Sequence, residues 1–199
     1  MAFRYPLNIS FKLVALAPRM NVTDSAGQNV CFVSQKVWKL KEDIQVFADE
    51  TRSQELYRIR ADKIMDFTTT YHFTESATGQ SLGAIKSKGW RSLWRATYEV
   101  TDPQGRLTHT ITEDNPWVKI GDALLGELPF VGMFTGYFLH PSYSALDVNT
   151  QRADMQIKKE PAFFEGRYSL HQLGEMSRED ELRLLLSFML MVQFMRRRG

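Results

Sequence analysis

The chain has few of the features that mark secreted or disulfide-stabilised proteins. It contains one cysteine, Cys31, so an internal disulfide framework and a cysteine-rich zinc site are both excluded. The N-terminal residues Met1–Pro6 contain no long apolar run of the kind that forms a secretory signal. We therefore expect a cytoplasmic protein in which Cys31, inside the apolar run Val30–Val33, is a buried and inert thiol.

A strong charge of either sign is also missing. The 25 Lys and Arg residues nearly balance the 23 Asp and Glu residues, which gives a formal net charge of +2. Any surface for an anionic partner must therefore be a local patch, and we expect no nucleic-acid partner. With 199 residues, of which 43% are hydrophobic, the chain can bury a sizeable core, and we interpret residues 1–199 as a single domain.

Catalytic motifs are absent as well. The sequence has no His-Glu-x-x-His, no glycine-rich phosphate loop and no nucleophile elbow. The nearest acids after His109 are Glu113 and Asp114, which we interpret as a polar turn at a strand end, and Glu42–Asp43 alone is no calcium loop. The four histidines, which share no metal-ligand spacing, are His72, His109, His140 and His171. We therefore expect no cofactor and no metal, and a non-enzymatic role is the favoured interpretation.

Short runs in which apolar and polar residues alternate occupy most of the chain up to residue 170. Turn residues separate these runs, a pattern typical of an all-β barrel or sandwich. An acid-x-x-Gly turn recurs at Asp24–Gly27 and Asp102–Gly105, with the longer Glu75–Gly79 between them. The pattern predicts about twelve strands. They cover residues 7–13, 20–24, 29–35, 44–48, 56–64, 69–75, 81–88, 93–102, 107–113, 143–147, 153–159 and 167–170.

The last stretch, Ser177–Gly199, is predicted to be one helix. Ser177 is a good N-cap, and Asp180 occupies the capping-box position. The segment Leu184–Met195 is apolar almost all round, so it must be buried in protein or in lipid. As a helix this segment is about 18 Å long, whereas the apolar core of a bilayer is about 30 Å thick and needs about 20 apolar residues to span it. Its length favours a core helix, with a membrane anchor and a partner-binding helix as alternatives.

A second apolar stretch, Gly121–His140, is long enough to raise the question of a membrane span. Its glycines, Pro129 and the acids Asp122 and Glu127 argue against a span. We interpret it as a core-packing insertion. The alternative is an exposed apolar loop that touches a membrane or a ligand.

Basic and aromatic residues are concentrated between positions 86 and 95. The cluster consists of Lys86, Lys88, Trp90, Arg91, Trp94 and Arg95. Basic side chains attract phosphates, and tryptophan favours the membrane interface. Strand alternation points Trp94 inward, so Trp90 is the better interface candidate. The alternative is a solvated strand face with packed tryptophans. The run Arg196–Arg198 is a second basic site, for which we favour an explanation by the helix dipole and by solubility.

Several motifs, taken in order, resemble the LURP-one-related family, which belongs with the tubby C-terminal domain and the phospholipid scramblases. They are Val22–Gly27, Val33–Val37, Tyr71–Gly83, Ile85–Lys88, Leu93–Gly105 and Phe164–Ser169, followed by the terminal apolar helix. The resemblance covers roughly residues 7 to 195. It implies a closed antiparallel barrel of about twelve strands around a central hydrophobic helix, at Leu182–Met195. The apolar stretch Gly121–His140 is longer than the family pattern implies.

The resemblance also implies a function. Tubby-like domains bind phosphoinositide headgroups through basic residues on the barrel, which makes Lys86, Lys88, Arg91 and Arg95 the candidate headgroup site. We therefore expect a non-enzymatic domain that docks on anionic phospholipid, peripherally at a membrane, or on a protein partner. The first alternative is a small-molecule-binding or enzymatic barrel with a pocket near residues 121–140. The second is scramblase-like activity, which the short helix disfavours.

Overall fold

Twelve strands and one helix make up the part of the chain that the structure describes. The structure is a computed structural model, and it describes residues 3–12, 19–34, 43–62, 69–88, 97–114, 142–161 and 165–196. The strands are β1 (Leu7–Lys12), β2 (Arg19–Thr23), β3 (Asn29–Ser34), β4 (Asp43–Phe47), β5 (Glu55–Ala61), β6 (Thr70–Glu75), β7 (Ser81–Lys88), β8 (Thr97–Thr101), β9 (Leu107–Glu113), β10 (Ser142–Asp147), β11 (Ala153–Glu160) and β12 (Glu165–Gln172). The helix is α1 (Arg178–Arg196). Each predicted strand overlaps an observed one.

The strands form a closed barrel in which every strand pairs with its neighbours in sequence. All pairings are antiparallel, and β12 returns to β1 with Leu7 opposite Leu170 and Lys12 opposite Glu165. Strand alternation alone is compatible with a barrel or a sandwich. The pairing of β1 with β12 shows that the sheet is a closed barrel. Because the sheet closes on itself, none of the twelve described strands is left as an unpaired edge.

Alternation along the strands fills the inside of the barrel with apolar side chains. In β2 the buried residues are Met20 and Val22, and in β8 they are Tyr98 and Val100. The predicted inward row of β1 is confirmed for Leu7, Ile9 and Phe11. Side chains of successive strand residues point to opposite faces, so each strand contributes every second residue to one continuous core.

The helix α1 lies inside the barrel. Every residue from Leu184 to Val192 is buried, and a helix buried on all sides must be surrounded by other structure. The side chains of Met189 and Phe194 contact two different strands of the wall, at Cys31 of β3 and Tyr71 of β6 respectively. The core-helix interpretation is therefore confirmed, and no helix among the described residues is long and apolar enough to cross a membrane.

The first turn of α1 is capped as predicted. The backbone N–H of Asp180 donates to Ser177 Oγ at 3.0 Å, and the Ser177 hydroxyl donates to Asp180 Oδ2 at 2.7 Å. Farther along, the buried Arg183 donates from Nε to the Leu82 carbonyl at 2.7 Å and pairs with Asp180. These partners compensate for burying a charge, which would otherwise be costly. They also attach the helix to β7.

The two ends of the barrel differ in construction. One end carries the tight turns of the hairpins β2–β3, β4–β5, β6–β7, β8–β9 and β10–β11, and here β1 begins and β12 ends. We call it the turn end. The opposite end receives the connections within residues 13–18, 35–42, 62–69, 89–96, 115–141 and 161–164, and we call it the connection end. The helix α1 begins at the turn end, where Tyr5 donates to Glu181 Oε1 at 3.0 Å.

Candidate functional site

The structure describes the first part of the predicted headgroup cluster. Lys86 lies on β7 and is exposed, with Thr70 of β6 and Glu99 of β8 as its cross-strand neighbours. An acid opposite a lysine lowers the local positive potential, so Lys86 alone makes a weak anion site. Lys88 is the last residue of β7. This strand therefore ends at the connection end of the barrel.

The rest of that cluster falls outside the described residues. These residues are Trp90, Arg91, Trp94 and Arg95, in the connection between β7 and β8. The predicted pocket near residues 121–140 also falls outside them. The expectation that Lys86, Lys88, Arg91 and Arg95 share one face stays a prediction. The structure describes only the end of β7 at Lys88 and the start of β8 at Thr97.

Carboxylates build the turn end. Asp24 Oδ1 accepts the backbone N–H groups of Ala26 and Gln28 at 2.9 and 2.8 Å. Asp102 Oδ1 accepts those of Gln104 and Arg106, both at 2.9 Å. In each turn a glycine with positive φ follows three residues after the acid, at 77° for Gly27 and 80° for Gly105. The recurring acid-x-x-Gly unit of the sequence is thus one repeated hydrogen-bonded turn.

Asp147 plays the same part in the β10–β11 turn. Its Oδ1 accepts the backbone N–H groups of Asn149 and Thr150 at 2.9 and 2.7 Å. The hydrogen bond from the Thr150 backbone, with that from Asn149 and the proximity of His109, lowers the pKa of Asp147. This carboxyl is therefore ionised over the physiological pH range. Gln151, with φ at 57°, takes the left-handed conformation that Gly27 and Gly105 hold in their turns.

A cluster that the sequence does not predict lies beside this turn. It joins His109 of β9, Asp147 at the end of β10 and Asp154 of β11, and one ligand atom from each lies within 4.8 Å of the others. His109 is only 2% exposed, and its Nε2 is 3.2 Å from Asp154 Oδ2. We call this group the His-Asp-Asp cluster. It consists of one imidazole and two carboxylates, which are ligand types that transition metals accept.

Strand pairing and a β-bulge assemble the cluster. Asp147 is the direct cross-strand partner of His109, so both side chains leave the sheet on the same face. Between β10 and β11 the register shifts: Ala145 faces Met155, but the next residue, Leu146, faces Ala153. Asp154 is the extra residue of this bulge. A bulge changes the direction of a side chain, which brings Asp154 to His109 although Met155 beside it is also buried.

The acids that sequence proximity associates with His109 lie elsewhere. Glu113 is the last residue of β9, about 13 Å along the strand from His109, and Asp114 follows it at the connection end. The expectation of a strand end at Glu113 and Asp114 is confirmed, and His109 is a separate, inward-facing member of β9. Burial and the neighbouring Asp114 raise the pKa of Glu113. Asp114 accepts a hydrogen bond from Gln156 Nε2 at 2.8 Å.

Cys31 has the character that its apolar surroundings predict. It is 3% exposed, and its Sγ lies 3.9 Å from Met189 Sδ of α1. Burial raises the pKa of the Cys31 thiol to about 12. The thiolate is the reactive form, so Cys31 is a packing residue and not a nucleophile.

Comparison with known proteins identifies the family of the chain. The LURP-one-related family matches residues 29–170, from the start of β3 into β12. No curated protein and no solved structure matches the chain. The family belongs to the tubby C-terminal-like superfamily, whose barrel and central helix are the architecture found here. On the family match and the fold together, the chain belongs to the LURP-one-related family.

Proposed function

We propose that the protein is a non-enzymatic module that docks on membranes containing anionic, phosphoinositide-like phospholipid. Its connection end faces the bilayer. The observation that carries the proposal is topological. β7 ends, with Lys86 and Lys88, and β8 begins at the connection end of the barrel. We infer from these strand ends that the connection with Arg91 and Arg95 lies on the same side as the other connections of that end.

The sequences of those connections suit a membrane interface. They contain all four tryptophans of the chain, Trp38, Trp90, Trp94 and Trp117. The connection from β3 to β4 adds the lysines of Lys36–Lys41. Tryptophan concentrates at membrane–water interfaces, and basic residues near the surface are attracted to anionic lipid.

The turn end carries charges of both signs. Its turns contain the carboxylates of Asp24, Asp49, Asp102 and Asp147, and the exposed Arg52 and Arg152 lie in the same turns. The carboxylates reduce the attraction of this end to an anionic bilayer. The two ends therefore support one orientation, in which the connection end touches lipid and the turn end points away from it.

The packed interior favours an outer surface over an internal cavity. The helix α1 fills the middle of the barrel with buried apolar side chains from Leu184 to Val192. A small-molecule carrier with this barrel would have to bind outside the core. Scramblase-like activity through α1 would require the helix to leave the barrel. Lipid docking on an outer surface leaves the helix in place.

Vesicle co-sedimentation tests the proposal. The full chain is mixed with zwitterionic vesicles or with vesicles carrying phosphoinositide, each at low and high salt. We expect binding to the anionic vesicles alone, with loss at high salt because salt screens exposed charges. The emission of the four tryptophans should shift to shorter wavelength on binding, because the membrane interface is less polar than water.

Charge reversal identifies the face. The variant Arg91→Glu/Arg95→Glu should bind at least about tenfold more weakly, because each basic residue near the surface contributes about 1 kcal/mol. The matched control is Arg52→Glu/Arg152→Glu, which reverses two exposed cations at the turn end and should bind normally. Binding that ignores charge and salt would instead implicate the apolar stretch Gly121–His140. No binding to any vesicle would contradict lipid docking and favour a protein partner.

A further inference from the structure

We propose that the His-Asp-Asp cluster of His109, Asp147 and Asp154 binds a divalent transition-metal ion, with Zn²⁺ as the best fit. The site lies at the turn end, away from the proposed lipid face, and its function is independent of lipid binding. The ligand atoms of the three side chains already lie within 4.8 Å of one another.

Hydrogen bonding around His109 leaves one ring nitrogen for a metal. The Thr108 hydroxyl has one proton, which it donates to the Val100 carbonyl at 3.2 Å. Its oxygen therefore accepts from His109 Nδ1, 3.1 Å away. Nε2 then faces Asp154 Oδ2 at 3.2 Å. In a neutral imidazole this nitrogen carries a lone pair, and a cation between it and the carboxylate converts repulsion into coordination.

This arrangement is common among metal-binding histidines. The nitrogen that does not touch the metal usually donates its proton to a nearby oxygen, which fixes the ring orientation. In the barrel, Thr108 provides that oxygen, and the ring of His109 is held in a fully buried position. The imidazole is therefore oriented before any ion arrives.

Distances and ligand types favour Zn²⁺ over the hard alkaline-earth ions. Two donors at about 2.1 Å from one metal ion, at an angle near 100°, are about 3.2 Å apart. His109 Nε2 and Asp154 Oδ2 are separated by 3.2 Å. Calcium and magnesium prefer all-oxygen sites, whereas zinc readily combines imidazole nitrogen with carboxylate oxygen.

A bound ion would connect the wall of the barrel to the segment that leads into α1. The three ligands come from β9, β10 and β11. The backbone carbonyl of Asp154 also accepts the N–H groups of Leu173 and Gly174 at 2.8 and 3.1 Å. A Cβ at Gly174 would lie 2.3 Å from Asp154 Oδ1, so the segment passes directly over this carboxylate. The ion would thus stabilise the place where the helix begins.

Thermal unfolding of the chelator-stripped full chain tests the site. Zn²⁺ at about a hundredfold excess over its dissociation constant should raise Tm by about 5–10 °C. Ca²⁺ and Mg²⁺ at the same concentration should leave Tm unchanged. Asp147→Asn and Asp154→Asn should each abolish the Zn²⁺ shift.

Two variants control for indirect effects. Asp24→Asn alters an aspartate with the same turn hydrogen bonds as Asp147 but no histidine partner, and it should keep the Zn²⁺ shift. His72→Asn removes an exposed histidine 2.9 Å from Asp62, and it should also keep the shift. Loss of the shift in His72→Asn would mean adventitious surface binding and would overturn the proposal.

A second measurement uses the unmodified protein, in case the buried variants do not fold. Nitrogen NMR of His109 should show a proton on Nδ1 and a Zn²⁺-dependent shift of Nε2. The competing arrangement is a protonated imidazole that bridges the two aspartates without metal. Two protonated ring nitrogens that ignore Zn²⁺, or an equal Tm shift with Ca²⁺, would overturn the proposal.

Discussion

Gly83 lies in β7 where the barrel wall comes closest to the helix. Its φ is +110°, and a Cβ there would lie 2.1 Å from the Thr101 carbonyl and 2.8 Å from Arg183 Nε. Gly83→Ala should therefore lower the free energy of unfolding by about 3 kcal/mol or more, because backbone strain and overpacking each cost about 1–3 kcal/mol. Urea denaturation followed by far-UV circular dichroism measures the loss.

A substitution at Gly79 distinguishes the cost of backbone strain from the cost of overpacking. Gly79 also has a positive φ, +72°, but a Cβ there would meet nothing within 4 Å. Gly79→Ala should cost only about 1–2 kcal/mol, the penalty for a non-glycine residue in a left-handed conformation. Equal losses in the two variants would mean that the clash with Arg183 and β8 contributes nothing.

Single residues differ in how far the sequence predicts their role. The N-cap Ser177 and the buried Cys31 follow from their immediate neighbours, and both are confirmed. The His-Asp-Asp cluster does not, since His109 and Asp154 are 45 positions apart. A bulge that shifts the register by one residue then decides which side chain reaches His109. The sequence signal that could have pointed to the cluster is the position of His109 on the inward side of an alternating strand.

At the scale of single elements, the stability of α1 depends on its packing against the inside of the barrel. Leu190 is fully buried inside the barrel, whereas Leu107 of β9 is 40% exposed. Leu190→Ala should lower the free energy of unfolding by about 2–5 kcal/mol through lost burial and a residual cavity. Leu107→Ala, the same chemical change on the surface, should cost about 0.5 kcal/mol. Chemical denaturation of both variants gives the comparison, and similar costs would contradict a central helix.

The strands show which parts of an element the sequence determines. Alternation is local, so it predicts β2 and β9 to within one residue at each end. The pairing of β1 with β12 joins segments at opposite ends of the chain, and alternation alone leaves barrel and sandwich open. The closed barrel is predicted from the family resemblance and not from alternation. Closure depends on the number and tilt of all the strands together, which no single stretch of sequence contains.

The whole molecule depends on mutual support between barrel and helix. The inward side chains of the strands and the buried residues of α1 form one hydrophobic cluster. At the turn end, the N-terminal segment holds the helix through Tyr5 and Glu181, and Phe3 packs on Arg178 with 4.1 Å between the ring centroid and the guanidinium carbon. Neither part buries its apolar surface without the other.

Removing the helix should therefore unfold the barrel. A chain that ends at residue 176 would leave the inner face of the closed sheet without its packing partner, and a hollow apolar interior is strongly unfavourable. We expect it to lose cooperative unfolding and near-UV circular dichroism. A peptide of residues 177–199 added in trans should restore both. Deleting only residues 197–199, which follow the end of α1, should leave the transition intact. A cooperative, native-like barrel in the 176-residue chain would contradict the central role of the helix. If the truncated chain unfolds as expected, the proposed lipid-docking surface and the His-Asp-Asp cluster both depend on the core that the helix completes.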